Sequence, residues 1–180
     1  MRVIGGLSRG RRLSARLPGG VRPTSDRVRE AIFSILGSLG GVEGLDVVDL
    51  FCGSGAMGVE ALSRGAASVT FVDTDPAALV AVAANLEAVG LAGRSATVVR
   101  GTLPGWLTGQ RRFDLALCDP PYAFSEWEAL LAALPADLAV LESASPVEVP
   151  GSWLITKSRR YGGTLVTVAR PSPAPAAAGS

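Results

Sequence analysis

Leu45-Asp46-Val47-Val48-Asp49-Leu50-Phe51-Cys52-Gly53-Ser54-Gly55-Ala56-Met57-Gly58 is the stretch whose reading decides the fold. Leu45 to Asp49 reads as a strand ending on a carboxylate, and Gly53 to Gly58 satisfies the pattern G-x-G-x-x-G, in which a strand turns into a helix and offers backbone amides to a nucleotide. A second strand, Ser68 to Val72, leads to Asp73, twenty residues past Gly53, where a carboxylate can take the two hydroxyls of an adenosine ribose. These features alone permit a nicotinamide dehydrogenase.

Two details point away from a dinucleotide. Pyrophosphate sits on a helix N-terminus, and a carboxylate beside it is repulsive. Asp49 stands four residues before Gly53 and better suits a ligand carrying an ammonium or sulfonium charge, of which S-adenosylmethionine is one. In addition, no histidine, lysine or tyrosine is placed as a general acid for hydride transfer. The chain has no histidine at all, which excludes Ser-His-Asp, Cys-His and histidine-based metal chemistry. Cys52 and Cys118 match neither a disulfide framework nor a zinc pattern, so they read as small buried residues and no metal site is expected.

Further along, the apolar run Phe113 to Cys118 reads as a buried strand that delivers Asp119-Pro120-Pro121-Tyr122 at its carboxyl end. The prolines remove two N–H donors and hold φ near about −65°, so carbonyl oxygens can point into a crevice beside the Asp119 carboxylate. Such a cradle accepts hydrogen bonds from an amine, and Tyr122 can stack on the ring bearing it. Stacking of this kind is worth about 1 to 3 kcal/mol per base.

Around these motifs strands and helices alternate, the pattern of a mostly parallel sheet covered on both faces. The expected strands are Leu45 to Asp49, Ser68 to Val72, Ala96 to Val99, Phe113 to Cys118, Ala139 to Leu141, Ser152 to Thr156 and Leu165 to Ala169. The expected helices are Thr24 to Leu39, Ala56 to Arg64, Pro76 to Val89 and Trp127 to Leu134, the first of them amphipathic and capped by Thr24 or Ser25. Lys157 to Gly163 is too short for a crossover helix, so the last two strands should pair antiparallel.

The 180 residues fit one domain, 48% hydrophobic and 18% charged, with no apolar run long enough for a membrane span and no signal peptide, which implies a cytoplasmic protein. Charge is uneven. Residues 1 to 30 carry eight arginines against Asp26 and Glu30, a net +6, whereas the remainder carries nine basic and fourteen acidic residues, a net −5. We therefore expect a basic N-terminal arm or hairpin at 1–23 that suits a polyanion, a domain at 24–170 whose first helix covers the sheet without the arm, and a disordered tail at 171–180.

On these residues the chain resembles the class I methyltransferases, and more narrowly the bacterial 16S rRNA guanine-N2 methyltransferase family RsmD. The resemblance rests on Arg2-Val3-Ile4-Gly5-Gly6 with Arg9-Gly10-Arg11-Arg12-Leu13, on Arg22-Pro23-Thr24-Ser25-Asp26-Arg27-Val28-Arg29-Glu30, on Asp49 to Gly55, on Asp119 to Tyr122 and on Arg160-Tyr161-Gly162. Two departures stand out: Arg100-Gly101-Thr102 follows the third strand where an acidic or amide residue commonly reads the adenine, and Gly163 stands where the family tends to be acidic.

The resemblance implies a Rossmann-like fold with a seven-stranded, mostly parallel sheet and an antiparallel last strand. It also implies S-adenosylmethionine as cofactor and 16S rRNA as partner, within the small subunit or an assembly intermediate, with no obligate protein partner. The implied cofactor set is Asp49, Phe51, Gly53, Ser54, Gly55, Asp73, Thr102 and Asp119, with Thr102 or a backbone amide reading the adenine. Asp119, Pro120 and Tyr122 form the catalytic set, and Arg9, Arg11, Arg12, Arg22, Arg27, Tyr122 and Phe124 the RNA set. Competing readings are an adenine-N6 DNA methyltransferase, which normally needs a target-recognition region not evident here, and a catalytically silent RNA-binding module. Glu60 and Glu142 read as solvent or packing residues.

Overall fold

The computed structural model describes residues 1–13 and 25–173. Twelve elements follow in chain order: α1 (Asp26–Ser38), β1 (Asp46–Leu50), α2 (Ala56–Ser63), β2 (Ser68–Asp73), α3 (Pro76–Ala88), β3 (Ala96–Arg100), a 3-10 turn (Gly105–Leu107), β4 (Phe113–Cys118), α4 (Trp127–Ala133), β5 (Ala136–Ser143), β6 (Trp153–Tyr161) and β7 (Thr164–Pro171). The strands form one seven-stranded sheet in the order β3-β2-β1-β4-β5-β7-β6. Pairs from β3 through β5 are parallel, and β7 runs antiparallel between β5 and β6. This is the expected fold class.

Alternation along the strands sends side chains into two cores. Val47, Val69, Phe71, Leu115, Leu117, Val140, Val166 and Val168 join α1, α2 and α3 on one face. Val48, Leu50, Val72, Ala116, Cys118, Ala139 and Leu141 meet α4 and Trp153 on the other. Strand burial on both sides explains why these segments are nearly continuous apolar runs. α1 is capped by Ser25, whose hydroxyl accepts from the Val28 amide at 3.2 Å, and α3 by Asp75, which accepts from the Ala77 amide at 2.9 Å.

Three expectations need correction. β6 continues through Lys157-Ser158-Arg159-Arg160 to Tyr161, so the connection to β7 is a tight turn at Gly162-Gly163 and not the seven-residue turn expected. Charged side chains are tolerated there because β6 is an edge strand. β7 reaches Pro171, and the Ser172 amide donates to the Ser152 carbonyl at 2.7 Å, so the sheet extends past residue 170. The rest of the expected tail, from 174, lies outside the described residues.

The third correction concerns the N-terminal segment, which is built into the core. Arg2 and Arg12 form an antiparallel bridge, the Val3 amide donates to the Arg11 carbonyl at 3.0 Å, and the Gly10 amide to the Val3 carbonyl at 2.8 Å. Val3 and Leu13 are buried against α1 and α2, each contributing about 1.5 to 3 kcal/mol. Glu60 of α2 is fully buried and is no solvent residue: its carboxylate accepts from the Ile4 and Gly5 amides at 2.8 Å each and from Arg64 Nε at 2.7 Å. Arg29 of α1, also fully buried, lies 3.6 Å from the same carboxylate, donates to the Arg2 carbonyl and contacts Asp26. Arg29 therefore belongs to packing.

Candidate active site

The order of strands reverses between β1 and β4, and the crevice at their carboxyl ends is where open parallel sheets bind ligands. All the expected cofactor and catalytic residues reach this edge. Asp49 precedes the last residue of β1 and is 2% exposed; its Oδ2 accepts from the Gly58 amide at 2.8 Å and so caps the first turn of α2. Burial is the main cause that pushes the Asp49 carboxyl well above the usual carboxylate range, countered by the Gly58 bond and reinforced by the charges of Asp119 and Asp73. Three carboxylates thus converge on one crevice.

Between β1 and α2 the chain makes a tight loop. Phe51 takes φ 57°, the Gly55 amide donates to the Cys52 carbonyl at 2.7 Å, and Gly55 takes φ 77°. The Ser54 carbonyl accepts from Asn85 Nδ2 at 2.9 Å, which ties the loop to α3. At Gly58 any Cβ would come within 2.3 Å of the Phe71 ring, so the third glycine of the motif lets α2 press onto β2.

Asp73, at the end of β2, accepts from the Gly53 amide at 2.9 Å through Oδ2 and from the Asp75 amide at 3.0 Å through Oδ1. Its carbonyl takes the Gly101 amide at 3.0 Å. Gly101 packs on Trp106, whose ring a Cβ at that position would approach to 2.7 Å. The Gly101 amide is engaged and Arg100 Nε donates to the Thr74 carbonyl at 3.2 Å, while Thr102 is exposed at this edge.

Beyond β4, Asp119 is half-buried and Pro120 is buried, while the Phe124 amide donates to the Pro121 carbonyl at 2.8 Å, closing a turn over Pro121 to Phe124. Tyr122 stands at the tip of that turn, 63% exposed. Phe124 turns inward instead. Its ring meets Phe51 and Trp127 edge to face, both at 5.1 Å. Burial raises both cysteine thiols, Cys52 and Cys118, far above the ordinary range, so neither is a nucleophile.

The expected RNA residues scatter more widely. Arg9 and Arg12 are exposed on the docked N-terminal segment, and Arg11 is partly spent on the fold, with Nη1 donating to the Val89 carbonyl at 2.8 Å. Arg27 lies on the exposed side of α1. Arg22, with Pro23 and Thr24, lies outside the described residues. Asn85, Trp106 and Trp127 were missed as residues supporting the site. Asn85 alone carried a signal, being an amide on the apolar side of α3 beside Ala78, Ala81 and Val82.

The family model described as Conserved hypothetical protein 95 matches residues 1–170. The ribosomal RNA small subunit methyltransferase D of Haemophilus influenzae is 32% identical over 90% of this chain and 89% of its own. The putative rRNA methyltransferase YlbH of Bacillus subtilis is 36% identical over 93% and 97%. The chain belongs to this family of small-subunit rRNA methyltransferases D. Membership bears out the RsmD resemblance. Among solved structures, the putative methyltransferase YhhF of Escherichia coli superposes with a TM-score of 0.80 at 32% identity, covering 95% of this chain and 97% of its own. A magnesium protoporphyrin IX methyltransferase of Synechocystis, solved with bound S-adenosylmethionine, shares the fold at a TM-score of 0.68 and 18% identity.

Proposed function

We propose that this protein is an S-adenosylmethionine-dependent methyltransferase acting on the N2 amine of a guanine in small-subunit ribosomal RNA. The observation that carries the reading is the convergence of Asp49, Asp73 and Asp119 on the β1–β4 crevice beside the Asp119-Pro120-Pro121-Tyr122 turn. Like charges gathered in a partly buried site repel one another, and a cationic ligand relieves that repulsion. A sulfonium ligand fits this donor set, whereas a pyrophosphate does not. Family membership supports the same reaction class and substrate class.

Bound S-adenosylmethionine supplies an electrophilic methyl carbon. Asp73 would hold the ribose hydroxyls, the loop Phe51 to Gly55 would hold the nucleoside, and Thr102 would read the adenine. Asp49 holds α2 in place and provides negative potential at the β1 end. The guanine N2 lone pair is delocalised into the ring, so the amine is a weak nucleophile. Asp119 and the Pro120 carbonyl would accept hydrogen bonds from its two N–H groups, draw the nitrogen towards tetrahedral geometry and stabilise the positive charge that develops as the new C–N bond forms. The methyl–sulfur bond breaks to leave S-adenosylhomocysteine, and the surplus proton then passes from the nitrogen to water. Holding the amine in line supplies up to about 7 to 11 kcal/mol of the barrier. Exposed Tyr122 offers ring surface to the extruded base, with Phe124 forming the inner wall. No metal enters this mechanism. Exposed Arg9, Arg12 and Arg27 bind phosphates.

Incubating the protein with labelled S-adenosylmethionine and purified small ribosomal subunits, free rRNA or DNA, followed by nucleoside analysis, tests the reading. N2-methylguanosine in rRNA is the expected product. N6-methyladenine in DNA would establish the other amino-methyltransferase chemistry, and the absence of any transfer would leave a binding module.

A further inference from the structure

A bulge in the edge strand decides which side chains face α1. Ile155 lies opposite Ala169 and Lys157 opposite Val168, so Thr156 is an extra residue in β6. Its hydroxyl donates to the Val168 carbonyl at 3.1 Å. One inserted residue shifts the alternation of a strand by one. Trp153, before the bulge, is buried on the α4 side, whereas Tyr161, after it, packs against the α1 side. In a regular strand Lys157, Arg159 and Tyr161 would follow Trp153 and Ile155 onto the α4 face. With the bulge they line an open groove of about 490 Å³ together with Arg27, Glu30 and Ser34 of α1.

Three cations thus share the groove with one carboxylate, and none of Arg27, Lys157 and Arg159 forms an ion pair among the described residues. β6 is the outer strand, so this side of the sheet has no further strand across it. Bulges that re-aim side chains occur at edges next to functional surfaces. We propose that the groove between α1 and β6 holds the sugar-phosphate backbone of the RNA substrate, with Lys157 and Arg159 on phosphates. The inference rests on the ribosomal RNA reading above. It adds to Arg9 and Arg12 a second binding surface, one that grips substrate without touching the reacting base. Net positive charge selects a polyanion, while the Ser34 hydroxyl and the Tyr161 ring suit ribose and base.

The test is the double charge reversal Lys157→Glu/Arg159→Glu, with Lys157→Gln/Arg159→Gln as the version that keeps β6 free of new charge if the reversal fails to fold. Binding of purified small-subunit rRNA is measured against salt, cofactor affinity by calorimetry, and methylation by initial rates on free rRNA and on assembled subunits. The proposal expects unchanged cofactor affinity, a raised KM with kcat retained, and a log-log salt slope shallower by about 1.4 to 1.8, at roughly 0.7 to 0.9 for each of the two phosphates that the variant no longer neutralises. An unchanged slope and KM would overturn the groove while leaving the enzyme reading intact. Lost activity on assembled subunits alone, with the rRNA slope unchanged, would assign the groove to a protein surface and overturn it too. A wild-type protein that transfers no methyl group to RNA would bring down both readings together.

Discussion

Arg29 and Glu60, both fully buried, face each other at 3.6 Å where α1, α2 and the N-terminal segment meet. Removing one member of a buried pair strands the other, a loss of about 3 to 5 kcal/mol. Glu60→Ala also leaves the Ile4 and Gly5 amides without their acceptor. We expect Glu60→Ala, and deletion of residues 1–13, to lower the urea midpoint of the whole domain. An unchanged midpoint for the deletion would make the segment an appendage after all.

Asp73 joins the Gly53 loop to the end of β2 and is the residue proposed above to hold the ribose. Asp73→Ala should weaken S-adenosylmethionine binding by more than the roughly 1 kcal/mol of a neutral hydrogen bond, because the loop loses its anchor as well. Isothermal titration calorimetry decides the point, and equal affinities would remove Asp73 from the cofactor site.

Asp119 should separate chemistry from binding. Its proposed hydrogen bonds to the amine strengthen as charge develops, so Asp119→Ala should lower kcat and kcat/KM by a much larger factor than it raises the cofactor Kd. A parallel loss of cofactor affinity would make Asp119 a cofactor ligand instead.

Asp49 carries a pH signature. Its folded carboxyl binds its proton more tightly than the ordinary value of 3.8, chiefly through burial. Between that ordinary value and the raised one the folded state holds the extra proton, so Asp49 favours folding at low pH and the benefit is lost as pH rises through the raised value. Asp49→Asn keeps an acceptor for the Gly58 amide without the charge. It should raise Tm at neutral pH, flatten that part of the stability profile and weaken binding of the sulfonium cofactor. A Tm that falls equally at every pH would place the value of Asp49 in packing alone.

Most of the sheet was legible because strands buried on both faces write long apolar runs, and because the Gly53 to Gly58 turn and Asp119 to Tyr122 carry their chemistry in adjacent residues. What escaped was non-local or ambiguous. Lys157 to Arg160 reads as a turn because an edge strand with charges on both faces lacks apolar alternation. Arg29 and Glu60 look like solvated helix charges until α1 is laid on α2, a packing that neither helix announces. Ala136 to Leu138 does not read as the start of β5, since Asp137 and the preceding Pro135 resemble a loop. Exposure of Tyr122 beside the inward turn of Phe124 goes with the hydrogen bond from Phe124 to Pro121 and the contacts of the Phe124 ring with Phe51 and Trp127, which are set by the fold and not by adjacent residues.

The placement of β7 orders events during synthesis. β6 touches the sheet only through β7, which is made after it. Until residues 164–171 leave the ribosome, β5 has an open flank and Trp153 to Tyr161 has no strand to join. The basic groove therefore forms only once β7 is in place, and a released chain truncated before Thr164 should be cleaved by protease at Lys157 to Arg160, where the full chain resists.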